Sequence, residues 1–358
     1  MRILIATDAW APQVNGVVRT YERLVTELTA LGVELSVLAP HEFRTVACPT
    51  YPEIRLAVPG WGRLARRIRA FKPDAVHIAT EGPIGWMARR YCRAHRIPFT
   101  TSFHTRFPEY LAQRFAIPAA WTTAVLRRFH NASRGLMVAT PSLAHELESQ
   151  GFERVLPWTR GVDTELFRPR PVRHFGKAPV FLYVGRIAAE KSIEAFLALD
   201  LPGRKVVVGV GPLLEELKER HRDVLFTGKR TGVALAECYA SADVFVFPSR
   251  TDTFGMVLLE AMATGLPVAA LPVTGPIDIV TPSVTGVLSE ELATAALAAL
   301  RLDRERVRAH AMTFGWERAA RLFLANITSA CNSEPKPLRA YERPAGRSSP
   351  SLRKAGGT

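Results

Sequence analysis

At 358 residues the chain is longer than a single hydrophobic core usually grows, which predicts two domains. Its hydrophobic content of 47% is that of an ordinary folded protein, and no apolar run approaches the ~18 residues of a membrane-spanning helix. A formal net charge of +14 points either to an anionic partner or to a solvated basic face.

The first residues, MRILIATDAW, read as a buried strand (2–7) rather than a leader. They carry one arginine and a short apolar run, then Asp8 with no small-residue cleavage pattern. A helix is predicted over 17–31, stopped by Gly32, and a strand over 33–39. Helices over 63–71, 85–95, 119–132 and 142–149 then alternate with strands over 75–79, 99–103 and 136–139. Such alternation predicts an α/β domain with a parallel, doubly wound sheet. The pattern pauses over 164–179, where proline and charge are dense, and this reads as an interdomain linker.

A second alternating set follows. Strands are predicted over 180–184, 205–210, 224–226, 244–247 and 268–270. Helices are predicted over 192–199, 213–220, 234–240, 256–263, 290–300 and 305–326. The division is therefore 1–165, a linker at 166–178, 179–305, a terminal helical segment at 306–330, and a basic tail at 331–358 whose Pro, Ser, Gly and Arg content predicts disorder. Two such domains face each other across a cleft, a common location for a ligand. Cys48, Cys92, Cys238 and Cys331 lie far apart without metal-like spacing, and read as free thiols of a reducing cytoplasm.

The basic residues cluster at Arg55, Arg63, Arg66, Arg67, Arg69 and Lys72, then Arg89, Arg90, Arg93 and Arg96, then Arg127 and Arg128. Segments such as WGRLARRIRAF place apolar residues and arginines at helical spacing, the pattern of a helix lying on an anionic membrane surface. No helix-turn-helix, zinc finger or aromatic-basic RNA module accompanies the charge, so nucleic acid is not the expected partner. The alternative is a basic face that water alone solvates.

Chemistry concentrates in PSRTDTFGMVLLEAMATGLPVAA, where Asp252 and Glu260 stand eight residues apart across a turn that opens a helix. Helix starts attract phosphate through amides that lack intrahelical partners. The two acids suit sugar and ribose hydroxyls, or else Asp252 or Thr253 caps the helix and Glu260 is a solvated face residue. In YVGRIAAEKSIEAF, Arg186 and Lys191 flank a strand-to-helix loop in which Gly185 permits close backbone approach, an arrangement suited to a diphosphate. In the first half, Asn15-Gly16 sits in a loop before a helix, and SFHTRFPEY puts His104 just past the carboxyl end of a strand. There His104 either meets a substrate hydroxyl, shuttles a proton, or is structural.

In combination and in order, NGVV, SFHT, RGVDTELFRP, GRIAAEK and the PSRTDTFGMVLLEAMATGLPV block resemble retaining glycosyltransferases of family 4, over about residues 1 to 327. Within that family the TDTFG and RGVD segments look most like glycolipid synthases acting on diacylglycerol and the related α-mannosyltransferases. The resemblance implies the GT-B fold, a UDP-sugar or GDP-sugar donor, a lipid acceptor, no cofactor and no obligatory metal. It places Arg186 and Lys191 on the diphosphate, Glu260 on the ribose and Asp252 on the transferred sugar. Phe254, Gly255 and Met256 would offer backbone contacts, Gly16 would approach the donor phosphates, and His104 would sit at the sugar. Trp316 matches the terminal helix that crosses back to the first domain. The expected location is the cytoplasmic face of the membrane, held peripherally. Two departures stand out. Asp252 replaces the family's usual Glu, and Val210 occupies a place often held by Asp.

Overall fold

The computed structural model describes residues 1–13, 15–48, 51–58, 60–106, 118–177 and 179–332. The end of SFHTRFPEY beyond Arg106 and the predicted basic tail from 333 onward lie outside the described residues.

The first half builds a six-stranded sheet in the order Glu34–Leu38, Arg2–Ala6, Ala75–Ile78, Phe99–Ser102, Leu136–Val138, Val155–Pro157, with every pair parallel. The run ILIA of the first strand is buried throughout, as expected where helices cover both faces of a parallel sheet. The helix Gly16–Ala30 shows how one flank is made. Asn15 caps it, its Oδ1 accepting from the amides of Val17 and Val18, and Tyr21, Leu24 and Leu28 recur at helical spacing on the buried face.

The second half repeats the plan in the order Leu225–Phe226, Arg204–Val208, Val180–Val184, Val244–Phe247, Val268–Ala270, Gly286–Leu288, again all parallel. Strand order reverses between Val180–Val184 and Val244–Phe247. In open parallel sheets the crevice beyond the carboxyl ends of such a pair is where ligands bind. Arg186 follows the first of these strands and Asp252 the second, so the topology alone brings them together.

Two features differ from expectation. Thr45–Cys48 and Tyr51–Ala57 form an antiparallel hairpin, and Val155–Pro157 and Gly286–Leu288 add short edge strands. The helix predicted over 305–326 is two helices, Arg304–Ala311 and Trp316–Asn332. The break over 312–315 is held by tertiary structure: Val162 donates its amide to Phe314 O and pairs with Gly315. The last helix packs into the first sheet's layer, its Ala320, Phe323 and Ile327 sharing a core with Ile3, Ile5, Tyr21, Leu24 and Trp158.

Gly161 marks the crossing. A methyl group there would lie 2.7 Å from both Cα and Cγ of Trp316. Gly161→Ala is therefore expected to destabilise the chain by about 1–3 kcal/mol through overpacking, seen as a lower urea midpoint. An unchanged midpoint would mean that the helix can slide to accept the methyl.

Candidate active site

The second domain supplies the charged part. After the buried strand VFLYV, the amide of Gly185 donates to Val208 O, and the chain turns through Arg186 into the short turn Ala189–Lys191. Lys191 Nζ lies 2.6 Å from Asp252 Oδ1, and Thr251 Oγ1 donates to Glu190 O at 3.2 Å, tying the two loops together. Arg186 Nε lies 4.0 Å from Glu190 Oε1. The loops also meet backbone to backbone: a Cβ on Gly209 would fall 1.9 Å from Gly185 O, and one on Gly211 2.1 Å from Ile187 O. Between them Val210 is exposed, so the departure from the family pattern costs the site no apolar packing.

Neither acid behaves as a simple cap or a solvated face. The helix Met256–Ala263 is preceded by Gly255, in the left-handed region at φ 83°, and no side chain caps it. Asp252 turns instead to Lys191, and its Oδ2 is buried with no hydrogen-bond partner among the described residues. Thr253 Oγ1 donates across the cleft to His104 O at 2.8 Å. Glu260 is buried, its Oε2 accepting from Tyr239 OH at 2.9 Å and its Oε1 lying 3.2 Å from Arg19 Nη1 of the first domain. Burial raises its pKa above the usual carboxylate value, although Arg19 and the Tyr239 hydroxyl pull the other way.

From the first domain, Gly16 approaches the same helix start. A Cβ on Gly16 would stand 3.8 Å from Met256 Sδ, and Thr20 Oγ1 is 3.5 Å from that sulfur. Phe254 is buried in the second domain's core, with its carbonyl packed close to Gly275. The structure thus brings Arg186, Lys191, Asp252, Phe254, Gly255, Met256 and Glu260 to one sheet edge. Gly16 and His104 face that edge across the cleft.

Both ring nitrogens of His104 are engaged by protein groups. Arg160 Nη2 lies 3.0 Å from Nδ1 and can only donate, which fixes the ring proton on Nε2, 2.9 Å from Tyr21 OH. The Tyr21 proton then points to His77 Nε2 at 2.8 Å, and His77 Nδ1–H to Thr100 Oγ1 at 2.8 Å. Burial, helped by Arg160, lowers the pKa of His77 to about 3 and that of His104 well below its ordinary value. Burial also lowers Arg160 to about 10. A proton-shuttling role for His104 would require one of these bonds to open.

The two rings make stability pH-dependent. Unfolded histidines take up protons below about pH 6.5, whereas the folded rings stay neutral, so stability is full above that pH and falls as pH drops toward 3. The expected slope is about 1.4 kcal/mol per pH unit for each ring. Urea melts between pH 7.5 and 5 measure it, and His77→Gln should remove about half of the slope.

Arg19, Tyr239, Tyr21 and His77 were not singled out by sequence reasoning, and Arg160 entered only as part of RGVD. The one available signal was that Arg19 directly follows NGVV. One basic residue moves the other way: Arg89, counted with the surface arginines, is buried and donates to the carbonyls of Phe129 and Arg128. Among the described residues no group of three or more His, Cys, Asp or Glu is placed to hold a metal ion.

Two parallel doubly wound sheets facing across a cleft, with cations and carboxylates at the second sheet's switch point, define the GT-B class of glycosyltransferases. The Glycosyltransferase Family 4 profile matches residues 14–166 and the Glycosyl transferases group 1 profile residues 178–302. The chain belongs to glycosyltransferase family 4 and is a glycosyltransferase using a nucleotide-sugar donor. It is 33% identical over 320 residues to a GDP-mannose-dependent alpha-mannosyltransferase of Mycobacterium tuberculosis, covering 80% of this chain and 83% of that one. It is 25% identical over 314 residues to an alpha-monoglucosyldiacylglycerol synthase of Streptococcus pneumoniae, covering 75% and 71%. The fold is shared with a sucrose-phosphate synthase from Thermosynechococcus elongatus at TM-score 0.74 and 21% identity, over 92% of this chain and 98% of that one.

Proposed function

We propose that the chain transfers a hexose, with retention, from a UDP-sugar to the free hydroxyl of a lipid, diacylglycerol first, at the cytoplasmic membrane surface. The observation that carries the donor half is the grouping of Arg186, Lys191, Asp252 and Glu260 around one helix start. Arg186 and Lys191 hold the diphosphate, Glu260 the ribose and Asp252 the transferred sugar. The bond from the anomeric carbon to the diphosphate oxygen breaks, and the bond to the acceptor oxygen forms on the same face. The acceptor's proton passes to the departing diphosphate. Arg186, Lys191 and the helix start stabilise the charge that grows there. Closure of the domains excludes water from the donor.

The lipid half rests on the first domain's surface. Arg63, Arg66, Arg69, Arg90, Arg93 and Arg128 are exposed. Trp61, Pro83, Trp86, Met87, Arg90 and Arg93 line a groove of about 570 Å³, with Arg90 5.2 Å from the Trp61 ring. Aromatic rings beside arginines suit the interface of an anionic leaflet. No helix among the described residues is long and apolar enough to cross a membrane, so attachment would be peripheral. A second reading, α-mannosyl transfer from GDP-mannose, is favoured by the 33% identity to the mannosyltransferase.

A panel of UDP- and GDP-sugars offered with diacylglycerol in vesicles containing anionic lipid, with products identified by mass spectrometry, tests both readings. A glycosyl-diacylglycerol is expected, and its absence with every donor would sink the lipid reading. Flotation should show binding that weakens from 0.05 to 0.5 M salt. Binding indifferent to salt and to anionic lipid would remove the electrostatic basis.

A further inference from the structure

Arg19 is the fourth residue of the helix Gly16–Ala30, at the end that meets the second domain. It forms an ion pair with Glu260, 241 residues away, at 3.2 Å, and the two ends of that pair differ. Glu260 is fixed, its side chain 6% exposed and its second oxygen held by Tyr239, whereas the Arg19 side chain is 38% exposed on a long flexible stem. Water can take up the guanidinium if the pair opens, but the buried carboxylate needs another donor. The vicinal hydroxyls of a ribose are such donors. A nucleoside diphosphate that presents them to Glu260 also brings phosphate oxygens, which a guanidinium chelates in a two-pronged fashion. One turn before Arg19, Gly16 already lies against Met256 at the start of the helix that carries Glu260.

We propose that Arg19 is a third cation of the donor site, supplied by the first domain. It holds Glu260 until a ribose replaces it, then turns onto the diphosphate and draws the first domain onto the donor. This rests on the nucleotide-sugar reading of Glu260 given above. It makes donor binding and domain closure one event, because the group that senses the donor belongs to the opposite domain.

Calorimetric titration of the full chain, Arg19→Ala and Arg19→Lys with UDP, GDP, uridine and guanosine tests it. Arg19→Ala should weaken binding of the preferred diphosphate by about 10–100-fold, the worth of a charge-assisted contact. Arg19→Lys should recover part of the loss. Affinity for the bare nucleoside should hold or improve, since Glu260 no longer has to exchange partners. Thermal melts of Arg19→Lys should match the parent, whereas Arg19→Ala leaves the buried Glu260 with Tyr239 alone and should melt lower, so its titrations are run well below that transition. Equal losses for nucleoside and diphosphate, or no loss for either, would overturn the proposal. Failure of the unaltered chain to bind any of the four would instead overturn the nucleotide reading of the site.

Discussion

Lys191→Ala is expected to lower turnover by about 10²–10³-fold, the usual cost of removing one group that stabilises transition-state charge, while the chain stays folded. Lys191 sits on a single short turn, its Nζ 2.6 Å from Asp252 Oδ1 and opposite the uncapped start of Met256–Ala263. Departure of a nucleoside diphosphate concentrates negative charge there, and a compact ammonium meets it without reorganisation. Little stability is at stake, since a partly exposed ion pair contributes at most about 1 kcal/mol. The measurement is single-turnover rate beside a thermal melt. Arg186→Ala should behave alike, with its partner Glu190 left on the loop. Near-normal rates in either variant would refute the assignment of these cations to the leaving group.

How far the sequence could be read follows from the range of each interaction. ILIA and VFLYV are continuous apolar runs bounded by turn residues, and both are buried parallel strands. Residues 305–326 read as one helix by periodicity, although Gly315 marks a stop within them. The partner that holds the break open, Val162 paired with Gly315, is distant in sequence and no local pattern names it. The hairpin Thr45–Cys48 with Tyr51–Ala57 departs from the strand-helix alternation of the rest of the domain, and its pairing shifts register after Ala47, so no regular pattern announces it. At the site, Asp252 and Glu260 stood out through their own spacing, yet the group that neutralises Glu260 lies in the other domain. Charge also misled once. Arg89 reads as a surface cation, but two backbone carbonyls and the rings of Trp86 and Phe129 give it a buried place. Residue type was informative where chemistry is local, and silent where a partner arrives by folding.

Asp252→Asn is expected to cut turnover by about 10²-fold or more while binding of the bare nucleoside diphosphate changes little. The reason lies in the division of labour between the two carboxylate oxygens. Oδ1 is committed to Lys191, whereas Oδ2 is buried and accepts nothing from the described residues. A buried acceptor left in this way is costly unless a ligand completes it, and a hydroxyl of the transferred sugar is the matching donor. An amide of the same shape still accepts from Lys191 through its oxygen but presents donors where the sugar needs an acceptor. Asp252→Glu is the sharper companion, because it keeps the charge and moves the oxygens outward by one methylene. It should retain nucleotide binding and change the ratio of kcat/KM between sugars differing at the contacted hydroxyl by about 10-fold. If Asp252→Asn instead loses nucleotide affinity in step with turnover, Asp252 acts only as a strut for Lys191. Sugar choice would then have to be read elsewhere in the cleft.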